Sequence, residues 1–286
     1  MSEGPSRFLL YIDILGFKEM TLREPRKVAR VYAILDTLNV HQHPNFKTIV
    51  FSDTILVYNP DDVLSDEDRR YLVWYLTEFA EDLHRRLTGQ DIWFRAVLLA
   101  GQFNHYRLQN VECFYGDALI KAYEAEKILP LIGLVMDKSA LPYNRFFQVE
   151  QFSGDFSFVY LSRQLRSLDE FTRTYPTTYW EVSDMAPDVA FDVHFLADIH
   201  TLMREHASPI VRAKALTTWD FYSRKYPAMT SALVAANFSL SALGPAGAWA
   251  SNEKAMEENI RHFKRIGSGS YLSTSITKRK TKRRSK

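Results

Sequence analysis

The chain has 286 residues, of which 46% are hydrophobic, and its formal net charge is +2. This length allows one large domain, or one medium domain with an appendage, and the composition allows a sizeable core. The single cysteine, Cys113, excludes an intrachain disulfide framework and a zinc site of several cysteines. Because no apolar stretch approaches the length of a membrane span, we predict a soluble, cytoplasmic protein without a membrane partner.

The basic residues are concentrated at the end of the chain. The last nine residues, KRKTKRRSK, contain seven of the 36 Lys and Arg residues and no acidic residue. We predict a disordered basic tail over residues 271–286, which can attract polyanions through non-specific electrostatics. The rest of the chain is acidic, so we expect no specific nucleic-acid partner.

Strand and helix signals alternate in the first half of the chain. An apolar run over 8–14, which ends before Gly16, predicts a buried strand. Apolar residues at helical spacing follow Pro25 and predict a helix that begins there. Two β-rich runs then meet at Ser52-Asp53, which predicts a hairpin turn or the rim of a sheet. The later predictions are a helix over 61–87, a strand over 91–103 with a hairpin partner over 104–115, a helix over 117–129 and a strand over 131–136.

This order predicts an α+β fold of the split-βαβ (ferredoxin-like) type, with helices on one face of a largely antiparallel sheet. Further strands are expected between residues 140 and 165, and the pattern is helical beyond about residue 193. We therefore divide the chain into an α+β domain over 1–165, a mainly helical region over 166–270 and the basic tail.

Two aspartates lie at the ends of predicted strands. Asp13 leaves the first strand just before a glycine turn, and Asp53 lies where the two β-rich runs meet. If these strands are neighbours, the two carboxylates converge, and close carboxylates repel unless they are protonated or bridged by cations. Two Mg²⁺ or Mn²⁺ ions are the usual bridge in phosphoryl transfer. Alternatively, Asp13 is an isolated residue that caps the following turn.

Four segments in chain order resemble the class III nucleotide cyclases, the family of adenylate and guanylate cyclase catalytic domains. They are YIDILGF around Asp13, FSDT around Asp53, the strand with Arg95 six residues ahead of Gly101, and YGDALIKAYEAE from Tyr115. The second has Ser-Asp where the family usually has Gly-Asp. The match covers about residues 7–137 and identifies 1–165 as a cyclase catalytic domain.

The resemblance implies a reaction and a set of site residues. In the family, two metal ions held by the aspartate pair bind a nucleoside triphosphate, and the ribose 3′-hydroxyl attacks the α-phosphorus to give a 3′,5′-cyclic nucleotide and pyrophosphate. Metal binding is carried over to Asp13, Asp53 and the main-chain carbonyl of Ile14. The amides of Gly16 and Phe17 become candidate triphosphate contacts. Class III sites form between two chains, so a homodimer with sites at its interface is also implied.

The chain departs from the family pattern on its fourth segment. Ile120 stands where the family has a ribose-orienting asparagine, and Glu124 stands where it has its transition-state arginine. We predict that another cation substitutes, with Lys121 and Arg95 as the candidates and Lys127 as a further one. Alternatively, the two lysines are ordinary solvated residues of a helix.

The positions that select the base also differ. They fall on Ile49 and Cys113, which supply neither the adenine-type nor the guanine-type hydrogen-bond pair. We expect Phe51, with Val50 and Tyr115, to line a smaller apolar pocket. The FSDT and YGDALIKAYEAE segments look like the bacterial pyrimidine cyclases of anti-phage defence. This implies a UTP substrate, or CTP as the second choice, and a cyclic product that acts on a separate effector.

Two other classes of function stay open from the sequence. The loss of the usual asparagine and arginine favours a catalytically inactive cyclase-like domain that senses a nucleotide or binds a partner. A relative of diguanylate cyclases or polymerase palms would share the split-βαβ plan and the two-metal chemistry, but the sequence contains no GGDEF-like turn.

Overall fold

The computed structural model describes residues 6–63 and 65–266. Up to residue 159 the elements are β1 (Ser6–Ile14), α1 (Phe17–Arg23), α2 (Pro25–Asp36), β2 (Lys47–Phe51), β3 (Thr54–Tyr58), α3 (Asp66–Leu87), β4 (Phe94–Gln102), β5 (Asn104–Arg107), β6 (Glu112–Tyr115), α4 (Asp117–Ile128), β7 (Gly133–Asp137), β8 (Val149–Ser153) and β9 (Phe156–Val159). The C-terminal part that follows contains α5 (Arg163–Phe171), α6 (Val182–Met185), α7 (Val189–Glu205), α8 (Pro209–Lys225), α9 (Pro227–Ala235) and α10 (Ala250–Ile266). The predicted basic tail lies outside the described residues.

Seven strands form one sheet in the order β2-β3-β1-β4-β7-β9-β8, and β5 and β6 form a separate hairpin. All neighbouring strands of the large sheet are antiparallel except β4 and β7, which are parallel and are connected through α4. The predicted fold class, an α+β sandwich with a helical C-terminal part, is confirmed.

Helices cover both faces of the sheet, so the expectation of helices on one face is wrong. Consecutive residues of β1 from Phe8 to Ile12 are all nearly inaccessible, which requires cover on both sides. On one side, alternate residues of β1 pack with α1, α2 and α3. The residues of β1 between them point to the other side, where they pack with α4 and with the C-terminal helices α7, α8 and α9. The sequence places those helices after the sheet but does not say which surface they cover.

Helix boundaries differ from the prediction where capping decides them. Helix α3 begins at Asp66 rather than at residue 61, because the Ser65 hydroxyl accepts a hydrogen bond of 3.0 Å from the amide of Asp68. The helical region also begins earlier than residue 193, with α5 at Arg163. None of the helices in the described part of the chain is both long and apolar enough to cross a membrane.

Candidate active site

Asp13 and Asp53 lie at the same end of two neighbouring strands. In the antiparallel β1–β3 pair Asp13 stands opposite Thr54, and Asp53 precedes Thr54 in the two-residue turn after Phe51. The amide of Ile14 donates a hydrogen bond of 3.0 Å to the carbonyl of Asp53, which ties the two segments together. We call this end of β1 and β3 the aspartate edge.

The turn that carries Asp53 is held in an uncommon backbone conformation. Ser52 has a φ of 58°, in the left-handed region that residues other than glycine seldom adopt. Its carbonyl accepts a hydrogen bond of 2.9 Å from the Tyr32 hydroxyl on α2. A residue in this conformation persists only where its surroundings fix it, so the Tyr32 contact helps to fix the position of Asp53.

Arg95 stands opposite Asp13 on β4 and is 5% exposed. Its guanidinium lies 3.4 Å from the Asp13 carboxylate, forms an ion pair with Glu126 of α4, and donates a hydrogen bond of 2.7 Å to the carbonyl of Leu129. Both terminal nitrogens of Arg95 are therefore engaged, and they hold Asp13 in place, while the buried Nε has no hydrogen-bond partner among the described residues. The guanidinium is not free to follow a substrate.

Opposing influences act on the pKa of Asp13. Burial raises its pKa, the neighbouring Arg95 lowers it, and the negative charge of Asp53 raises it again, with a raised pKa as the result. Burial also lowers the pKa of Arg95. A carboxylate in this state gains from a further cation beside it.

The residues present suit a metal that is delivered with a phosphate ligand. In the described part of the chain no group of three or more His, Cys, Asp or Glu side chains could form a complete protein cage for a metal ion. Mg²⁺ is commonly held by one or two carboxylates, with water and substrate phosphates as its other ligands. Asp13 and Asp53 could supply those carboxylates, and the Ile14 carbonyl is at the same end of β1.

Gly16 and Phe17 directly follow β1 at the aspartate edge. Gly16 has a φ of 74° and immediately precedes α1, and no atom comes within 4 Å of the position where a Cβ would lie. The Phe17 ring is buried and packs against the Tyr32 ring, with centroids 6.1 Å apart. The main chain of the turn, rather than the Phe17 side chain, is thus the part that could face a ligand.

An apolar cavity of about 340 Å³ opens beside the aspartate edge. Its walls come from β1, β2, β3, β6 and α4, and they comprise Tyr11, Ile49, Phe51, Thr54, Leu56, Phe114, Leu119, Ile120 and Tyr123. Tyr11 links the cavity to the aspartates: its hydroxyl lies 3.5 Å from that of Thr54, and both Asp13 and Asp53 act on it electrostatically. Burial raises the pKa of Tyr11, so it is a neutral hydrogen-bonding group.

The predicted base-pocket residues divide into two groups. Ile49 and Phe51 line the cavity, and Phe51 is 75% exposed at its mouth. Val50, Cys113 and Tyr115 are not among its lining residues. Cys113 is half-buried on β6, opposite Tyr106 of β5. Side chains alternate across a strand, so Val50 between Ile49 and Phe51 faces away.

Within one chain the structure does not bring Lys121 to the aspartates. Its ammonium lies 2.7 Å from the carboxylate of Asp137, which is completely buried. From the β4–β7 register, Asp137 lies about four strand residues, or roughly 13 Å, from the level of Arg95. Burial raises the pKa of Asp137, but Lys121 and Ser139 outweigh burial and leave this pKa low.

The two substituted positions of α4, Ile120 at the cavity and Glu124, are both exposed. The exposed fraction of Ile120 is 61%, whereas Ala118, Ala122 and Ala125 form the buried face of the helix. Lys127 lies over the Tyr123 ring at 3.8 Å.

Sequence reasoning missed Glu126, the partner of Arg95. A signal was available, because a buried arginine requires a carboxylate partner and Glu126 is four residues from the buried Ala122. Tyr11 and Tyr123 were also missed. No motif separates such aromatic residues from ordinary core residues.

Neither the family models nor the curated proteins contain a match to this chain. Solved structures with a similar chain trace include the monomeric guanylyl cyclase domain of the RhoGC fusion protein from Blastocladiella emersonii. It has 17% identity and a TM-score of 0.45, over 55% of this chain and 96% of that one. The adenylyl cyclase CyaB from P. aeruginosa has 11% identity and a TM-score of 0.40, over 54% and 93%.

A third similar structure is a monomeric adenylate cyclase from Trypanosoma brucei, with 11% identity, a TM-score of 0.37 and coverage of 54% and 86%. All three are adenylyl or guanylyl cyclases, to which this chain is similar in its chain trace.

Proposed function

We propose that this protein is a class III nucleotide cyclase that converts a pyrimidine nucleoside triphosphate, UTP before CTP, to its 3′,5′-cyclic monophosphate. The observation that carries the proposal is the joint placement of two carboxylates and an apolar cavity at one end of the sheet. The carboxylates suit a metal-bound triphosphate and the cavity suits a flat base. A site with both parts matches a nucleoside triphosphate better than a phosphate or a base alone.

The reaction is an internal displacement at the α-phosphorus. The ribose 3′-hydroxyl gives its proton to solvent water and its oxygen forms a bond to the α-phosphorus, while the bond from the α-phosphorus to the bridging oxygen of the β-phosphate breaks and pyrophosphate leaves with that oxygen. Two Mg²⁺ or Mn²⁺ ions would supply charge neutralisation and activation of the attacking oxygen. The chain's own contribution is positioning: Arg95 fixes Asp13, and Tyr32 with the Ile14 amide fixes the Asp53 turn.

The size and the lining residues of the cavity suit a small and weakly polar base. The volume of about 340 Å³ is at the low end for ligand sites. Of the nine lining residues only Tyr11, Thr54 and Tyr123 carry polar groups, all of them hydroxyls, and none carries a charge. A purine-selecting lysine or glutamate is thus missing from these walls. Hydroxyls can donate or accept, which fits both the carbonyl of uracil and the amino group of cytosine.

A homodimer is supported by exposed apolar side chains on β2, α4 and the β5–β6 hairpin, the elements that include part of the cavity wall. Phe51, Leu108, Tyr115, Ile120 and Ile128 are each more than half exposed, on β2, the β5–β6 hairpin and α4. Large exposed apolar groups in one region mark interaction surfaces. In a dimer built on this region, the outward face of α4 would meet the partner's aspartate edge. We propose that residues 1–165 form the catalytic domain and that the product activates a separate effector in antiviral defence, in the cytoplasm.

A catalytically inactive sensor is the second candidate. It is favoured by Ile120 and Glu124, which cannot replace the usual asparagine and arginine, and by the engagement of Lys121 with Asp137. Such a sensor would keep metal-dependent triphosphate binding but form no cyclic product.

The test is incubation of the full-length protein with ATP, GTP, CTP and UTP, each with Mn²⁺ and with Mg²⁺, followed by mass analysis of the products. Asp53→Asn removes one carboxylate without changing the turn's length, and Asp36→Asn at the end of α2 is the matched control. We expect one cyclic pyrimidine product from the wild type and the control, and none from Asp53→Asn. Metal-dependent binding without any cyclic product would favour the sensor. Product from Asp53→Asn at the wild-type rate would refute the assignment.

A further inference from the structure

A lysine from the C-terminal helices lies at the aspartate edge. Helix α8 is fixed there by Thr218, whose hydroxyl donates a hydrogen bond of 2.9 Å to the carbonyl of Ile132 and accepts one of 2.9 Å from its amide. Ile132 directly precedes Gly133, which is opposite Arg95 in the parallel β4–β7 pair. Thr218 therefore holds α8 against the strand ends that carry Arg95 and, one strand further, Asp13.

Lys214 is one helical turn before Thr218, so both residues start from the same side of α8. Its ammonium is close enough to interact electrostatically with both Asp13 and Arg95. The side chain is half-buried, and in the part of the chain that the structure describes no hydrogen bond or ion pair holds its ammonium.

The other cations at the site are already engaged. Arg95 is bound to Asp13, Glu126 and Leu129, and Lys121 is bound to Asp137. Lys127 lies over the Tyr123 ring. Lys214 thus combines proximity to Asp13 with an uncommitted charge. A lysine ammonium has three donors on a flexible stem and binds phosphate as a point charge, without a fixed geometry.

We propose that Lys214 binds the phosphates of the substrate at the aspartate edge and supplies the mobile cation that α4 lacks. This inference rests on the proposed function for the identity of the substrate. The Lys214 ammonium donates to the phosphate oxygens while Arg95 stays fixed on Asp13. The helices after residue 165 are then part of the substrate site and not an appendage to it.

The experiment compares full-length wild type with Lys214→Ala, Lys214→Arg and Lys214→Met, where methionine retains the length of an apolar stem. Lys254→Ala, an exposed lysine on α10, is the matched control. The probe is inorganic tripolyphosphate with Mn²⁺, measured by calorimetry, and the four nucleoside triphosphates are assayed for cyclisation in parallel. The melting temperature shows that each variant is folded.

We expect Lys214→Ala and Lys214→Met to weaken tripolyphosphate binding about tenfold, equivalent to about 1.4 kcal/mol. The melting temperature should be retained, Lys214→Arg should recover part of the affinity, and Lys254→Ala should match the wild type. Wild-type affinity in a folded Lys214→Met variant overturns the proposal, even if cyclisation is observed. If the loss occurs but no nucleotide is cyclised, the phosphate contact stands and the cyclase assignment fails. A wild type that binds no tripolyphosphate overturns both.

Discussion

His84 is buried beneath a C-terminal helix, so its burial can be tested through the pH dependence of the free energy of unfolding. The side chain is 8% exposed, its ring packs 4.3 Å from that of Phe195 on α7, and its buried Nε2 atom has no hydrogen-bond partner within residues 6–63 and 65–266. Burial lowers the pKa of His84 from its ordinary 6.5 to about 4. The folded state therefore resists a proton that the unfolded chain accepts below pH 6.5.

The sign and size of this pH dependence follow from the linkage between proton binding and folding. Between pH 6.5 and 4 the unfolded state binds more protons, so the free energy of unfolding falls as the pH falls. Each pH unit of difference is worth about 1.4 kcal/mol, which gives roughly 3 kcal/mol in total and about 2 kcal/mol by pH 5. His84→Leu removes this proton while keeping an apolar contact with Phe195. The variant should therefore lose about 2 kcal/mol less than the wild type between pH 7.5 and pH 5.

The assay is urea denaturation at several pH values, and the difference between wild type and variant isolates His84 from the other titrating groups nearby. Those groups include Asp192 and the Glu81–Arg163 pair, which line the same cavity of about 400 Å³ between α3, α5 and α7. His262→Leu, an exposed histidine on α10, should leave the pH dependence unchanged. Parallel curves for the wild type and His84→Leu would refute the burial of this residue beneath α7.

Three further predictions concern buried charges. Arg95→Met should lower the free energy of unfolding by about 3–5 kcal/mol because it leaves two mostly buried carboxylates, Asp13 and Glu126, without their cation, and adding Glu126→Gln should recover part of the loss in a double-mutant cycle. Lys121→Met should destabilise by about 1–3 kcal/mol, measured by urea denaturation, because Asp137 is completely buried but keeps its hydrogen bonds from Ser139, and the Lys121 side chain is 42% exposed. Asp192→Asn should stabilise the protein at pH 8 and flatten its melting temperature between pH 5 and 8. Burial raises the pKa of Asp192 well above its ordinary value, so the wild type loses stability as the pH rises.

The sheet could be predicted from the sequence because its signals are local. The β1 run, the turn at Ser52-Asp53 and the break at Pro130 each indicate an element within a few residues. That the strands of Asp13 and Asp53 are neighbours was a condition of the aspartate pair in the sequence analysis, and the β1–β3 pairing fulfils it. The cover of the second face did not follow, because an apolar helix shows that it is buried but not against which surface.

Only the motif residues of the candidate site could be predicted from the sequence. Asp13, Asp53, Ile49 and Phe51 belong to short motifs, and the structure places them together around the aspartate edge and its cavity. Lys121 was chosen for its position beside a substituted motif residue, and only the structure shows its bond to Asp137. Lys214 had no signal, because its position depends on how α8 docks through Thr218.

The charges at the aspartate edge constrain both candidate functions. Asp13, Asp53 and Glu126 are three carboxylates, and Arg95 is the fixed cation among them. A triphosphate adds further negative charge, so close approach is unfavourable unless cations accompany it. Metal ions and the Lys214 ammonium are the sources that fit the edge, whether the protein cyclises its ligand or only senses it. Metal-dependent binding is therefore expected of both functions, and only formation of the cyclic product distinguishes the enzyme from the sensor.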